Sequence, residues 1–207
     1  MIRAVKSRVQ RLLLRKENGR VQEQELREWK KQGRPVPAPH AVKTETIKEY
    51  AKKFSLSTLV ETGTYLGSTV DATKGTFRRI ISVELDPTLY EQAKRKFSEF
   101  EQILILQGDS GEVLPSILND LTEPCLFWLD GHFSGGITAQ GKLDTPIVQE
   151  LMAISQHLVK SHVILIDDAR LFDGQNSYPT VNELQGFVSE KYGDCAFEIK
   201  DDIIRIH

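Results

Sequence analysis

The stretch STLVETGTYLGST, residues 57–69, decides the fold because an apolar run passes through two glycines into a segment suited to a helix. The run predicts a buried strand whose end carries the carboxylate of Glu61. Gly63 has access to backbone angles that other residues avoid, and Gly67 leaves room for a ligand beside the helix. The G-x-x-x-G spacing differs from the G-x-G-x-x-G of dinucleotide-binding turns, so an ordinary tight turn is the alternative interpretation.

Short apolar runs alternate with helix-like segments from residue 41 to the C-terminus. Strands are predicted over residues 57–63, 78–86, 102–110, 124–132 and 161–169, and helices over 44–54, 68–77, 87–100, 112–121 and 144–159. The ending CAFEIKDDIIRIH predicts a hairpin of two edge strands that turns at Asp201 and Asp202. Apolar strands separated by helices belong to parallel sheets covered on both faces. The sequence therefore predicts an α/β fold with a doubly wound, mostly parallel sheet of seven strands, in which ligands bind beyond the carboxyl ends of the strands.

Residues 1–40 are predicted to be a helical extension followed by a proline-rich linker, and residues 41–207 a single domain. Residues 1–31 hold ten lysines and arginines against four glutamates, so they carry six net positive charges, and the rest of the chain carries eight net negative charges. Residues 1–16 fit a basic amphipathic helix. Three roles are open for it: packing on its own domain, contact with a second copy of the chain, and peripheral contact with an anionic membrane surface.

The composition of the 207-residue chain argues against several functional classes. Its content of 40% hydrophobic residues supports a sizeable core, and its net charge of −2 gives no indication of a nucleic-acid partner. Cys125 and Cys195 have neither disulfide-framework nor metal-ligand spacing, which is typical of a reducing compartment. No apolar run approaches the roughly 18 residues of a membrane span, and the N-terminus lacks a signal-peptide core, so a cytoplasmic protein is expected.

Acidic residues end the second and third predicted strands as well as the first. Glu84 lies 21 residues after Gly63, close to the offset of about 20 residues at which an acidic side chain binds a ribose in doubly wound folds. Asp109 ends the third strand and is followed by Ser110. Because ligands of such sheets bind at the carboxyl ends of the strands, these residues are expected to share a pocket with the glycine turn.

These motifs resemble those of class I S-adenosylmethionine-dependent methyltransferases, and the similarity runs from about Ser57 to the C-terminus. VETGTYLGS resembles the first motif of that family, SVELD its second-strand acidic motif, and LQGDS its third. The resemblance implies a Rossmann-like methyltransferase fold with S-adenosylmethionine as cofactor. Its amino group is then expected near Glu61, its ribose hydroxyls on Glu84, and its adenine beside Asp109. The cofactor-binding residues implied in this way are Glu61, Thr62, Gly63, Tyr65, Gly67, Ser68, Glu84, Asp109, Ser110 and Asp130.

Three aspartates at the ends of the fourth and fifth strands form a second constellation. Asp130 ends the fourth strand, and Asp167 and Asp168 end the fifth, which begins after a loop and one crossover helix. Carboxylates brought together repel one another unless they are protonated or neutralised by a cation. Oxygen-only ligation favours Mg²⁺, for which Mn²⁺ or Ca²⁺ could substitute. Because successive strand residues point to opposite faces, a helix cap is the alternative role for Asp168.

The aspartates resemble the metal site of metal-dependent O-methyltransferases of the catechol and macrolide-sugar types. The resemblance implies Asp130, Asp167 and Asp168 as metal ligands and methyl transfer to a hydroxyl of a small molecule. Phe133 stands where the catechol type has a catalytic lysine, so His132 is the candidate base beside Asp130, as in the sugar-modifying relatives. The expected acceptor is therefore a sugar or another polyhydroxylated metabolite. A structural imidazole is the alternative role for His132.

A polar, glycine-containing loop, GHFSGGITAQGKLDTP at residues 131–146, follows the fourth strand and is interpreted as a lid or substrate loop. His132, Phe133 and Lys142 are its candidate substrate contacts, and Arg170 with residues 173–179 is expected to meet the substrate from the other side. Two other functional classes remain open, and each would use these residues in a different way. A metal-dependent phosphoesterase or sugar transferase would use the aspartates alone, and a non-catalytic module would keep the cofactor pocket without turnover.

Overall fold

A seven-stranded sheet organises the residues that the computed structural model describes, which are 19–21, 23–131 and 145–207. The strand order is β3-β2-β1-β4-β5-β7-β6. Strands β1 to β5 pair in parallel, and β7 pairs antiparallel with both β5 and β6. The doubly wound, mostly parallel sheet that the sequence predicts is therefore confirmed. The strands are β1 Thr58–Thr62, β2 Arg79–Glu84, β3 Ile103–Gln107, β4 Leu126–Leu129, β5 Val163–Ile166, β6 Phe197–Lys200 and β7 Ile203–Ile206.

Six helices cover this sheet in the ranges that the structure describes, and a short 3-10 turn, Ala169–Leu171, follows β5. Local capping sets several of their starts. Asp86 accepts hydrogen bonds from the N–H groups of Thr88 and Leu89 at the start of the third helix, and Thr180 forms a capping box with Glu183 at the start of the sixth. The helices are α1 His40–Lys53, α2 Ser68–Thr73, α3 Pro87–Lys96, α4 Ser110–Asn119, α5 Ile147–Gln156 and α6 Val181–Tyr192.

The core lies on both faces of the sheet because alternate strand residues are buried on each side. Phe127 packs in one cluster with residues of α4, α5 and α6, whereas its neighbour Trp128 packs in another with residues of α1, α2 and α3. Both side chains are fully buried. Burial on both faces explains why these strands are apolar throughout.

The C-terminal hairpin departs from the prediction of two edge strands. Strand β7 lies between β5 and β6, and all four of its residues are buried, whereas β6 is mostly exposed. Strand β7, which holds three isoleucines and Arg205, gains hydrogen-bonded partners on both sides in this arrangement, which an edge position would not provide. The turn falls at Asp201 and Asp202, as predicted, and both residues have positive φ.

The segment before α1 lies on the domain. Residues 19–21 and 23–31 are helical, and Trp29 is buried against Leu26, Ala38 and Val42. Its indole Nε1 donates to the carbonyl of Pro35 at 2.8 Å, so Trp29 anchors this helix. The basic residues 1–18 lie outside the described part of the chain, so contact with a membrane or a second copy stays a prediction. Among the described residues, no helix has the length and apolar content to cross a membrane.

Replacing Trp29 with alanine is expected to release the segment of residues 19–39 from the domain. Loss of a buried tryptophan costs about 3 kcal/mol when its neighbours cannot close the cavity. Trypsin should then cleave at the basic residues around position 30 about tenfold faster or more, since opening that is easier by 1.4 kcal/mol exposes the bond tenfold more often. Leu158→Ala is the control, because Leu158 is 93% exposed. Equal cleavage rates in Trp29→Ala and the unaltered protein would contradict this docking.

Candidate functional site

The glycine turn after β1 is held by close backbone contacts. Gly63 has φ +85°, and its N–H donates to the carbonyl of Val83 at 3.0 Å. A Cβ at Gly63 would lie 2.5 Å from the backbone oxygen of Asp130, so glycine is required for the ends of β1 and β4 to approach. A Cβ at Gly67 would lie 2.6 Å from the ring of Phe97. Gly67 thus makes room for a ring of its own chain, where the sequence suggested room for a ligand.

Glu84 ties the end of β2 to this turn. Its carboxylate is buried and accepts hydrogen bonds from the backbone N–H groups of Tyr65 at 2.7 Å and Asp86 at 2.9 Å. A carboxylate has about four lone-pair sites, so Glu84 can accept further hydrogen bonds from a ligand. Tyr65 itself has φ +49° with its side chain 46% exposed, and Ser68 is exposed at the start of α2. The structure therefore brings Glu84 to the glycine turn, as predicted.

Glu61 is a carboxyl group buried beneath the turn. It is 1% exposed and accepts a short hydrogen bond from the Ser82 hydroxyl, which also contacts Thr64 Oγ1 at 2.6 Å. Burial raises the pKa of Glu61 to about 8, and the Ser82 hydrogen bond opposes this shift. Glu61 therefore holds a proton at neutral pH in the protein alone. A ligand cation beside it would favour the ionised form.

The residues after β3 are engaged within the protein. Asp109 caps α4 by accepting from the N–H of Gly111 at 3.0 Å, and the Ser110 hydroxyl donates to Glu150 at 2.6 Å. Glu150 lies on α5, is 1% exposed, and has its pKa raised to about 7 by burial. Sequence reasoning missed Glu150 because a glutamate on an amphipathic helix is normally solvated. The predicted adenine contacts of Asp109 and Ser110 are not tested by this geometry.

The three predicted aspartates converge at the carboxyl edge of the sheet. Asp130, Asp167 and Asp168 each offer a carboxylate oxygen, and these atoms lie within 4.8 Å of one another. Asp168 has φ +56°, a left-handed conformation that interrupts the strand alternation directly after Asp167. Its side chain makes no capping hydrogen bond to the 3-10 turn that follows. The cluster favours the ligand interpretation of Asp168 over the helix-cap alternative.

Two cations from other elements contact this aspartate cluster. Lys43 Nζ on α1 forms an ion pair with Asp167 Oδ2 and lies 3.6 Å from Asp168 Oδ1. Arg170 Nη1 donates to Asp168 Oδ1 at 2.7 Å and also to the buried Asp202. The structure thus places Arg170 in ion pairs, where the sequence suggested a substrate contact. Lys43 was missed because α1 begins at His40, four residues before the predicted start at Thr44.

The carboxylate of Asp167 is buried, and Lys43 neutralises its charge only in part. It is 4% exposed, and its Oδ1 is buried with no hydrogen-bond partner in the described part of the chain. Burial and repulsion from Asp130 raise the pKa of Asp167 to about 7, although Lys43 opposes the shift. A buried acceptor without a partner beside two further carboxylates fits a hard divalent cation. The donor set is therefore compatible with the predicted Mg²⁺ site.

A cavity beside the aspartates combines polar and aromatic groups. It is bordered by Asp130, Thr145, Glu150, Asp167, Phe172 and Tyr178, among others. Phe172 and Tyr178 form an edge-to-face pair with centroids 5.2 Å apart. Tyr178 belongs to the segment 173–179, which was expected to face the substrate. The candidate base His132, with Phe133 and Lys142, lies outside the described residues, so these contacts stay predictions.

His40 is a second residue at this edge that the sequence did not indicate. It opens α1, and its Nε2 lies 3.5 Å from Thr69 Oγ1 on α2, near the glycine turn. Burial and the neighbouring Lys43 lower the pKa of His40, so the neutral imidazole is favoured. The first turn of α1 therefore brings both an imidazole and an ammonium group to the carboxyl edge of the sheet.

No protein-family model and no curated protein sequence matches the chain. Solved structures do match its fold. The O-methyltransferase TomG from Streptomyces achromogenes, in complex with S-adenosylmethionine, aligns with a TM-score of 0.60 at 13% identity, covering 89% of this chain and 87% of TomG. An O-methyltransferase from Bacillus cereus in complex with S-adenosylhomocysteine aligns with a TM-score of 0.55 at 14% identity, covering 89% of each chain. The methyltransferase PaMTH1 from Podospora anserina also aligns with a TM-score of 0.55 at 14% identity, covering 88% of this chain and 86% of PaMTH1. At these identities the likeness shows the fold, and the predicted resemblance to class I methyltransferases is confirmed at that level.

Replacing Glu61 with glutamine is expected to flatten the pH dependence of the free energy of unfolding. The folded protein keeps the Glu61 proton up to a pKa of about 8, whereas the unfolded chain releases it near 4.5, so stability falls as pH rises between these values. Relative to the unaltered protein, the free energy of unfolding of Glu61→Gln should rise by about 5 kcal/mol across this window, at about 1.4 kcal/mol per pKa unit. Urea unfolding at both ends of the window measures the difference. The exposed Glu91→Gln is the control and should follow the unaltered protein; the same slope in Glu61→Gln would contradict the buried, protonated state.

Proposed function

We propose that this protein transfers the methyl group of S-adenosylmethionine to a hydroxyl of a small molecule. The observation that carries the proposal is the junction of two sites at one sheet edge. The glycine turn, which Glu61 and Glu84 border, meets the aspartate cluster at Gly63. Gly63 lies so close to the backbone of Asp130 that a Cβ would not fit between them. A donor pocket and a metal-binding cluster in direct contact suit the transfer of a group between two bound molecules. Two of the solved structures with this fold, TomG and the Bacillus cereus enzyme, contain S-adenosylmethionine or S-adenosylhomocysteine.

Donor binding is assigned to the ends of β1, β2 and β3. Glu84 would accept from the ribose hydroxyls with the lone pairs that Tyr65 and Asp86 leave available. Glu61 would ionise beside the ammonium group, since an adjacent positive charge favours the carboxylate. The Ser110 hydroxyl is bound to Glu150, so the adenine would meet the backbone around Asp109 in place of that hydroxyl. A carboxylate-rich pocket suits a cofactor that carries an ammonium and a sulfonium.

The divalent ion, proposed to be Mg²⁺, would be held by Asp130, Asp167 and Asp168. The unpartnered Oδ1 of Asp167 supports this assignment, and the ion pair of Arg170 with Asp202 would keep Asp168 in position. A bound divalent ion lowers the pKa of a hydroxyl that contacts it. His132 follows Asp130 within two residues and is the proposed acceptor of the hydroxyl proton. Histidine as a residue type has an unperturbed pKa near 6.5, which suits proton transfer near neutrality.

The acceptor is proposed to be a sugar or another polyhydroxylated molecule that binds beside the aspartates, next to the small cavity there. Thr145, Glu150 and Tyr178 offer hydrogen-bonding groups at its border, and Phe172 offers an aromatic edge. A few placed polar groups within a partly apolar lining are typical of small-molecule sites. Hydroxyl groups distributed around a ring could bond to several of these side chains at once.

Calorimetric titration of S-adenosylmethionine into the full chain tests the donor site. The unaltered protein should bind, and Glu84→Ala should bind at least about tenfold more weakly, because loss of a charged hydrogen-bond acceptor costs about 1.5 kcal/mol or more. Glu84→Gln keeps an acceptor for the Tyr65 N–H and separates ligand binding from folding, and exposed Glu91→Ala is the control. Absence of binding by the unaltered protein would refute the proposal and favour phosphate esters or sugar nucleotides as ligands of the aspartates.

Substitution of Asp167 with asparagine tests the role of the metal. Methyl transfer to a responsive hydroxyl substrate should fall by about 100-fold and lose its dependence on added Mg²⁺, since a ligand that fixes the ion is removed. S-adenosylmethionine affinity should stay within about threefold, because the donor site lies on other strand ends. Radiolabelled methyl transfer with Mg²⁺ and with EDTA provides the measurement. Full activity of the unaltered protein in EDTA would rule out a metal role.

A further inference from the structure

Lys43 occupies the place where a cation is needed. Its ammonium forms an ion pair with Asp167 and lies 3.6 Å from Asp168, two of the three proposed metal ligands. The side chain is 18% exposed, so the pair is shielded from most of the solvent. We infer that Lys43 is a built-in competitor of the divalent ion, which fills the aspartate cluster in the metal-free protein and sets how tightly the ion binds. This inference rests on the proposed metal site.

The helix that carries Lys43 is fixed, so the competition depends on the lysine side chain alone. Helix α1 buries Ile47 and Tyr50 in the same cluster as Trp128 of β4. Ala41 and Val42, just before Lys43, are buried as well. The first turn of α1 is therefore held against the domain on both sides of Lys43. A four-carbon stem with rotatable bonds can still withdraw the ammonium group without moving the helix.

Arg170, the other cation at the cluster, is not free to withdraw in the same way. Its guanidinium contacts Asp202, whose side chain is 2% exposed, and its backbone N–H donates to the same carboxylate at 2.9 Å. Departure of Arg170 would leave a buried carboxylate without its ion pair, which is strongly unfavourable. The ion pairs that Lys43 makes with Asp167 and Asp168 lie within the aspartate cluster itself. Lys43 is therefore the cation that yields when a divalent ion enters.

The same geometry predicts how the two cations exclude each other. Lys43 Nζ is bonded to Asp167 Oδ2, so an ion that binds this oxygen either displaces the ammonium group or lies beside it and is repelled. An ion that uses Asp167 Oδ1 instead would lie close to the ammonium and be repelled by it. Both routes weaken ion binding as long as position 43 carries a positive charge. Removal of that charge should tighten ion binding, and a substitution that keeps the charge should not.

Mn²⁺ binding to the full chain without S-adenosylmethionine tests the inference. Free Mn²⁺ would be followed by electron paramagnetic resonance at about pH 8, where carboxylate ligands compete well against protons. Lys43→Met and Lys43→Gln should each lower the dissociation constant about tenfold or more, as expected when an ion pair of 1.4 kcal/mol or more no longer competes. Lys43→Arg should remain close to the unaltered protein. Lys48→Met is the matched control, since Lys48 lies on the same helix and pairs with Glu45 at 3.4 Å.

Asp167→Asn identifies the site in this experiment. It should weaken Mn²⁺ binding both alone and combined with Lys43→Met, which places the tighter binding at the aspartate cluster. Unchanged or weaker Mn²⁺ binding in both neutral Lys43 variants, with folding verified by circular dichroism, would overturn the inference. Failure of the S-adenosylmethionine titration would refute the proposed methyl transfer but leave this result standing, because Mn²⁺ binding is measured without the cofactor.

Discussion

Mutual repulsion among carboxyl groups at one edge of the sheet is the constraint on which the rest of the site depends. Strands β1, β2, β4 and β5 all bring acidic side chains there, and α5 adds the buried Glu150. The close approach at Gly63 joins these groups into one region, since the ends of β1 and β4 are in backbone contact. Each carboxyl group must therefore be protonated, hydrogen-bonded or paired with a cation.

The structure uses all three solutions, and each one suggests a different chemical role. Glu61 and Glu150 are the most deeply buried, and burial raises their pKa values and favours their protonated forms. Glu84 accepts two backbone hydrogen bonds, which hold the glycine turn against the end of β2. Asp167 and Asp168 are paired with Lys43 and Arg170. An ammonium group of a ligand would find a partner at Glu61 or Glu150. A divalent ion would find its ligands at Asp167 and Asp168.

Sequence patterns predicted the sheet and most of the edge because both follow from local rules. Continuous apolar runs separated by helices specify parallel strands, and a parallel sheet collects its strand ends at one edge, so the convergence of Asp130, Asp167 and Asp168 could be foreseen. Lys43 and Glu150 could not be, because their burial depends on what their helices meet in three dimensions. The position of β7 between β5 and β6 was also missed, although the three isoleucines among its four residues argue against an exposed edge strand. A short link from α1 to β1 requires the helix to return along the sheet, and this direction brings its first turn, with Lys43, to the carboxyl edge.

The direction of α1 also explains how the N-terminal segment relates to the site. Trp29 holds that segment against α1 through Val42, the residue before Lys43. On its other side the segment reaches the β6–β7 turn, where Arg34 pairs with Asp201 at 3.0 Å, next to the Asp202 that holds Arg170. The exposed Arg34 pair contributes little energy by itself. Its position matters more: Lys43 follows Val42, which packs against this segment, and Arg170 pairs with Asp202, which follows the Asp201 bound by Arg34. The residues before α1 therefore contact both elements that carry the cations of the cluster, α1 directly and the 3-10 turn of Arg170 through the β6–β7 turn.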